Sequence, residues 1–292
     1  MKFTGVIPAL VTPVTADRKL NVPALEKLVE GLLKEGADGF YVGGATGEGV
    51  ILDVDVHKQL TKEVVRITNH RCPIIVHVAR MNNREMIDLA KYAQEQGVDA
   101  ISAIPPLFYR YGDEGIYAYY KELADSVDLP IIIYNNPNTG VTFTQSLLAR
   151  LFSIKNITGI KWTNYDFAAV MQLKSRFPEI NVISGPDEVM LQGLTAGCDA
   201  AIGTTYNFML PLAKRVYQAF QNGDLKSAMA DQMRMAVIIE ALLTQQGIMA
   251  TRVILKYQGY NGFDVPHFPM VPLTKEQETD LVSKLKTAGL DI

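Results

Sequence analysis

The chain reads as an α/β protein, a (β/α)₈ TIM barrel with a helical extension at its C-terminal end. Three observations predict this. Short apolar strand-like runs alternate eight times with amphipathic helix-like runs. The strand runs are apolar throughout rather than alternating, as expected of parallel strands covered on both faces. An open doubly wound sheet would carry GxGxxG after its first strand, and Ala9-Leu10-Val11-Thr12-Pro13 is nothing like it.

The elements follow in order. The first strand is expected over Gly5–Val11, and a helix over Val22–Glu35 stops at Gly36. Gly39–Gly43 is the second strand, with a helix near Val54–Thr68; Pro73–Val78 is the third, with a helix over Arg84–Gln96 that ends at Gly97. Ala100–Ile104 precedes the helix Gly115–Val127, and Pro130–Tyr134 precedes a short helix capped by Thr144. Ile157–Thr163 is the sixth strand, followed by a helix through Lys174. Ile180–Ser184 and the helix Glu188–Ala196 form the seventh unit, and Ala200–Thr204 with Leu210–Phe220 the eighth. Residues 1–222 are thus expected to form the barrel that carries the site. Residues 223–292 should form a helical extension packed on it, the two making a single structural unit. Within it, Asp224–Gln246 carries a stripe of Met229, Met233, Val237, Ile238 and Leu242, expected to face the core or another subunit. Thr251–Tyr257 and Lys275–Thr287 are two more helices, the last opened by a Thr274-x-x-Gln277 capping box.

Composition excludes several classes. Apolar residues make up 48% and charged residues 20%, ample for a large core. A net charge of −3 gives no electrostatic footprint for nucleic acid or an anionic membrane. No uncharged apolar stretch approaches the roughly 18 residues of a membrane span, and no basic region followed by a long apolar run marks a signal peptide. Cys72 and Cys198 form no CxxC pair, which suits a reducing compartment. A soluble cytoplasmic protein is expected.

The chemistry centres on Ile157-Thr158-Gly159-Ile160-Lys161-Trp162-Thr163. A period of two puts Gly159, Lys161 and Thr163 on one face. Burial disfavours the charged form of an amine, and a neutral amine is a nucleophile able to form a Schiff base with a carbonyl. The same lysine could instead snorkel to water or pair with a carboxylate. Other polar residues gather where strands of a barrel end. Gly43-Gly44-Ala45-Thr46-Gly47-Glu48 reads as an anion-holding turn or as an ordinary one. Tyr134, at the end of the fifth strand, is a rim phenol or a core tyrosine. Gly185-Pro186-Asp187-Glu188 would repel a phosphate and suit a neutral polyol, although acids also favour a helix start. His57, His70, His77 and His267 form no metal-ligand spacing, and no metal or other cofactor is called for.

Five motifs in order, Gly43–Glu48 (GGxTGE), Tyr134–Pro137 (YNxP), Gly159–Thr163 (GIKxT), Gly185–Glu188 (GxDE) and Ile202–Asn207 (IGxTYN), resemble the pyruvate-dependent class I aldolases of the dihydrodipicolinate synthase and N-acetylneuraminate lyase family. The resemblance spans the barrel and the helical tail, and its last two motifs look most like N-acetylneuraminate lyase. It implies a Schiff base on Lys161, with Tyr134 as acid and base. It implies that Ala45 and Thr46 hold the pyruvate carboxylate and that Thr163, Gly185, Asp187, Glu188 and Thr204 line a sugar-chain pocket. The implied substrates are pyruvate and a 2-oxo sugar acid, with reversible cleavage of N-acetylneuraminate to N-acetylmannosamine and pyruvate. The alternatives are a related synthase such as 4-hydroxy-tetrahydrodipicolinate synthase, a 2-keto-3-deoxy sugar acid aldolase, or a non-catalytic binding barrel. The chain departs from the lyases at Ala45 and Thr204, where serine is common. It also lacks the arginine that such synthases carry shortly after YNxP. The tyrosine that family members lend to a neighbouring subunit falls at Phe108 or Tyr109. A homotetramer is expected, partly from the resemblance and partly from the aromatic segment Leu107–Tyr111.

Overall fold

A run such as Ile131-Ile132-Ile133 has no polar face to turn towards water, so its strand must be covered on both sides. The computed structural model describes residues 2–292. Eight parallel strands form one sheet: β1 Gly5–Pro8, β2 Phe40–Val42, β3 Ile74–His77, β4 Ala100–Ala103, β5 Ile131–Asn135, β6 Ile157–Trp162, β7 Asn181–Ser184 and β8 Ala200–Gly203. Their order is β1-β8-β7-β6-β5-β4-β3-β2. The remaining gap is bridged where Ala9 pairs with Tyr41 and the Leu10 N–H donates to the Tyr41 carbonyl at 2.9 Å. This is a TIM barrel.

Around it run α1 Val22–Lys34, α2 Val54–Thr68, α3 Asn83–Glu95, α4 Asp113–Ser126, α5 Gln145–Phe152, α6 Phe167–Arg176, α7 Met190–Thr195 and α8 Tyr206–Gln221. The extension adds α9 Leu225–Leu242, α10 Gly247–Tyr257 and α11 Lys275–Thr287. Side-chain caps define many of the starts. Asn21, Asn82, Thr144, Asp166 and Asp224 each accept a first-turn N–H, and Thr274 with Gln277 makes the expected reciprocal box.

The structure departs from the sequence expectation in several places, among them the α9–α10 junction, where the helix expected to run to Gln246 ends at Leu242 and the next begins at Gly247 rather than Thr251. The first strand ends at Pro8, because the chain beyond it leaves the β8 ladder to bridge Tyr41. Asp187–Val189 is a 3₁₀ turn, and regular helix begins only at Met190. Helix α8 starts at Tyr206 and kinks at Met209 (φ −137°, ψ 34°), since Pro211 has no N–H to donate to the preceding turn. In α9, Ile238 and Leu242 are buried but Met229, Met233 and Val237 are exposed. The face that packs inward instead carries Ala228, Gln232 and Met235.

A buried charge cluster ties the extension to the barrel. Glu48 follows the glycine turn after β2 with a left-handed backbone (φ 57°). Its Oε1 accepts from the Arg252 guanidinium of α10 through Nε at 2.9 Å and through Nη2. Its Oε2 accepts from the His267 N–H at 2.8 Å. The Arg252 guanidinium also donates to the carbonyls of Thr12 (2.8 Å), Phe263 and Val265 (both 3.2 Å). Burial alone would raise the Glu48 pKa, but the contacts with His267 and Arg252 outweigh it and hold the carboxyl below its ordinary range. Arg252→Met should leave that carboxylate buried without its cation. The expected cost is about 3–5 kcal/mol in urea unfolding; a loss below about 1 kcal/mol would show the pair to be dispensable.

Candidate active site

The site begins with an irregularity between β5 and β6. Ile131 pairs with Ile157 but Ile132 pairs with Gly159, so Thr158 is an extra residue in β6. The shift sets Lys161 directly beside Tyr134. Glycine is needed at 159, where a Cβ would fall 2.7 Å from both the Asn181 carbonyl oxygen and Ile132 Cδ1.

Lys161 is 5% exposed. Its Nζ lies 4.0 Å from the centre of the Tyr134 ring and 4.8 Å from that of Tyr41, at cation–π range. Tyr41 stands edge-on to Tyr134 at 6.0 Å, and its hydroxyl donates to Ser102 Oγ at 3.0 Å. The Tyr134 hydroxyl accepts from the Asn136 amide at 3.2 Å. Burial pushes the Tyr134 phenol up, but the Lys161 charge and the Asn136 contact outweigh it and hold the phenol below its ordinary 10.

Two buried histidines pack beside this arrangement. His77 Nε2 accepts from the Ile104 N–H at 3.3 Å, which leaves Nδ1 to donate to the Gly43 carbonyl at 3.1 Å. Burial, the nearby His57 and the Lys161 charge bring the His77 pKa down to about 3. His57 packs under Gly43 (φ 66°), where a Cβ would lie 2.2 Å from Nε2, and burial lowers its pKa to about 4. The glycine turn therefore rests on two neutral rings. Above them Thr46 is buried and Ala45 exposed. Thr46 Oγ1 lies 2.6 Å from Thr204 Oγ1. Among the described residues, neither the Ala45 nor the Thr46 N–H has a hydrogen-bond acceptor within the chain.

All five residues expected to line a sugar-chain pocket, Thr163, Gly185, Asp187, Glu188 and Thr204, border one cavity of about 450 Å³. Thr163 and Lys161 share a face of β6, and the buried Thr163 Oγ1 has no protein partner. A Cβ on Gly185 would fall 2.0 Å from that oxygen. Asp187 is more constrained than the sequence suggests. Its Oδ2 accepts from both the N–H (2.8 Å) and the hydroxyl (2.7 Å) of Thr205, which commits that oxygen to β8's exit loop. Burial pushes the Asp187 carboxyl up to about 6. Glu188 Oε1 accepts from the Tyr165 hydroxyl, a contact that pushes the phenol up to about 12. Tyr109 stands apart. It is 68% exposed and its ring packs on Phe108 and Tyr111 rather than on the Lys161–Tyr134 pair.

Sequence reasoning missed Tyr41, Tyr165 and the Ile239, Leu242, Leu243 and Ile248 wall of the cavity. Tyr41 could have been found, since it sits one residue before the end of a short inward-facing strand. The others meet the site only through tertiary packing. Among the described residues, no group of three or more His, Cys, Asp or Glu side chains is placed to hold a metal ion.

Thr163, Gly185 and Thr204 follow the ends of β6, β7 and β8, so the cavity opens where TIM-barrel enzymes carry their active sites. The dihydrodipicolinate synthetase family profile matches residues 2–288, and the chain belongs to this family of carbon–carbon lyases. It is 33% identical over 287 residues to N-acetylneuraminate lyase 2 of Escherichia coli O6:H1, covering 97% of this chain and 93% of that one. It superposes with TM-score 0.94 and 28% identity on CdNal from Clostridium difficile, solved in complex with mannosamine, over 99% of this chain and 100% of that chain. It also superposes with TM-score 0.93 and 27% identity on dihydrodipicolinate synthase DapA-2 from Bacillus anthracis, over 98% and 99%.

The Asp187 shift has a measurable consequence. A carboxyl that holds its proton more tightly folded than unfolded is stabilising only while protonated. That contribution is full below its ordinary 3.8 and is lost as pH rises to about 6. Asp187→Asn keeps an acceptor for Thr205 and removes the titration. Its unfolding free energy should therefore gain on the wild type by up to about 3 kcal/mol between pH 4 and 7. Parallel stability profiles in urea would refute this.

Proposed function

We propose that the protein is a Schiff-base aldolase that reversibly cleaves N-acetylneuraminate to N-acetylmannosamine and pyruvate. The observation that carries this reading is a buried lysine beside a tyrosine of lowered pKa, next to a cavity with hydroxyl-accepting carboxylates and no lining lysine or arginine. A carboxylated aldehyde would need a cation there, whereas hydroxyls suit Glu188 and Asp187. The curated relatives named N-acetylneuraminate lyase support the same choice.

In this reading the Ala45 and Thr46 N–H groups and the Thr46 hydroxyl hold the substrate carboxylate. The Lys161 amine attacks the C2 carbonyl and water leaves, giving an iminium beside the Tyr41 and Tyr134 rings. The Tyr134 phenolate takes the proton from the C4 hydroxyl; the C3–C4 bond breaks, its electron pair enters the enamine, and the sugar aldehyde departs. Tyr134 returns its proton to C3, and water hydrolyses the imine to free pyruvate. Thr163, Gly185, Asp187, Glu188 and Thr204 hold the sugar chain. The free thiols Cys72 and Cys198 accord with a cytoplasmic setting.

Borohydride reduction in the presence of pyruvate should add covalent mass at Lys161, and the absence of that mass there would refute the imine. Tyr134→Phe should keep trapping while losing turnover by about 10²–10⁴-fold. Release of pyruvate from N-acetylneuraminate is the substrate test. Its absence, with condensation of pyruvate and aspartate semialdehyde instead, would move the assignment to the synthase reading.

The same reading makes the protein a homotetramer. Phe108, with a left-handed backbone (φ 76°), and Tyr109 are 84% and 68% exposed above β4. Such a cluster suits burial by a second copy, which would bring Tyr109 towards a neighbouring site. Light scattering should give four chains per particle, and a monomer at micromolar concentration would refute the assembly.

A further inference from the structure

Asn136, the unspecified third residue of YNxP, reaches back to the group that the reading above makes acid and base. Its side-chain amide donates to the Tyr134 hydroxyl at 3.2 Å. The amide cannot be turned over. Its oxygen accepts from the Asn138 N–H at 3.0 Å, and a backbone N–H can only donate, so the nitrogen must face the phenol. The backbone is fixed as well. Pro137 holds Asn136 extended (φ −121°, ψ 121°) as the cap of the Pro137–Thr139 turn. The Asn136 carbonyl accepts from the Thr139 N–H at 3.1 Å and from its hydroxyl at 2.8 Å. An amide nitrogen has hydrogens to give and no lone pair to receive with. The phenol's own proton must therefore point at some other group.

We propose that Asn136 is a positioning residue for Tyr134: its amide leaves the phenol O–H for the substrate hydroxyl and stabilises the phenolate that takes the proton. It transfers no proton itself. The proposal rests on the aldolase reading above and deepens it. Tyr41 of β2 and His77 of β3 stand edge-on to the Tyr134 ring, both at 6.0 Å. Both are uncharged, since burial pushes the Tyr41 phenol well above 10 and brings His77 down to about 3. Burial opposes the Tyr134 phenolate, and Lys161 of β6, 4.0 Å from the ring centre, favours it most, with Asn136 and the Thr163 hydroxyl adding to the effect. The lysine's charge is absent when the amine attacks the carbonyl, because only the neutral amine is a nucleophile. The amide donates in every protonation state, so its support of the phenolate does not lapse during the cycle.

Two variants separate the cap from the donor. Asn136→Ser keeps an oxygen for the Asn138 N–H but is too short to reach the phenol. Asn136→Asp keeps both contacts and turns the donor into an acceptor. The phenol is followed without substrate, as the phenolate absorbance that is lost when Tyr134→Phe is added to each background. Phenolate should form at higher pH in Asn136→Ser than in the wild type, and at higher pH still in Asn136→Asp. In pyruvate release from N-acetylneuraminate, kcat/KM on the acid limb should fall about tenfold in Asn136→Ser and recover as pH rises. Pyruvate trapping at Lys161 should persist in both variants, which shows that the barrel is folded. An unmoved phenolate titration in both variants, or a loss of kcat/KM equal at every pH, would overturn the inference alone. A displaced titration, with trapping but no cleavage of N-acetylneuraminate by the wild type, would support the role of Asn136 and overturn the sialic acid reading.

Discussion

One inserted residue sets the geometry on which the site depends. Without Thr158 as a bulge, Ile132 would pair with Thr158 and Tyr134 would sit beside Ile160, leaving Lys161 next to Asn135. Because side chains alternate faces along a strand, a shift of one residue would separate the lysine and the phenol across the sheet. The bulge brings both to one face, and it does so only because Gly159 has no Cβ to strike the Asn181 carbonyl or Ile132. The glycine before the lysine is thus a steric requirement of the register.

Charge is distributed with equal economy around that pair. Lys161 is surrounded by aromatic faces and forms none of the ion pairs of the described residues. The two imidazoles near it are kept neutral by burial, so they add no positive charge beside the amine. Tyr41 and Tyr134 are neighbours with opposite shifts. Tyr41 is pushed well above 10 by burial and the adjacent phenol, while Tyr134 is drawn down by the lysine. Environments that drive two like groups apart leave Tyr134 the more acidic of the two phenols.

The extension is tied to the same region. Arg252 of α10 pairs with Glu48 two residues beyond Thr46, so the turn that carries Thr46 is anchored by a helix about two hundred residues away in sequence. Gln232 of α9 does the same for the other side. Its carbonyl accepts from the Leu191 N–H at 3.0 Å, and its amide donates to the Asp187 carbonyl at 3.2 Å. The buried face of α9 thus carries Ala228, Gln232 and Met235, while Met229, Met233 and Val237 lie on its outer face.

What the sequence discloses and what it withholds divide along the same line. The strands, most helix ends and the five motifs are local: continuous apolar runs, capping residues and glycine turns announce themselves within a few positions. Lys161, Tyr134, Thr46 and the GxDE acids could therefore be named from their neighbours. The bulge could not be, because Ile157–Trp162 has no local sign that its partner skips a residue. Asp187's commitment to Thr205 and the capture of Glu188 by Tyr165 were hidden for the same reason, as each joins separate strand-end loops. The apolar wall lies furthest from view, since leucines and isoleucines at a helix junction look like any core. Lys161 and Tyr134 are residue types that few buried environments tolerate, and these stand out in a sequence. The apolar wall is built of common residues whose place beside the cavity comes only from packing, so it becomes readable only once the chain is folded.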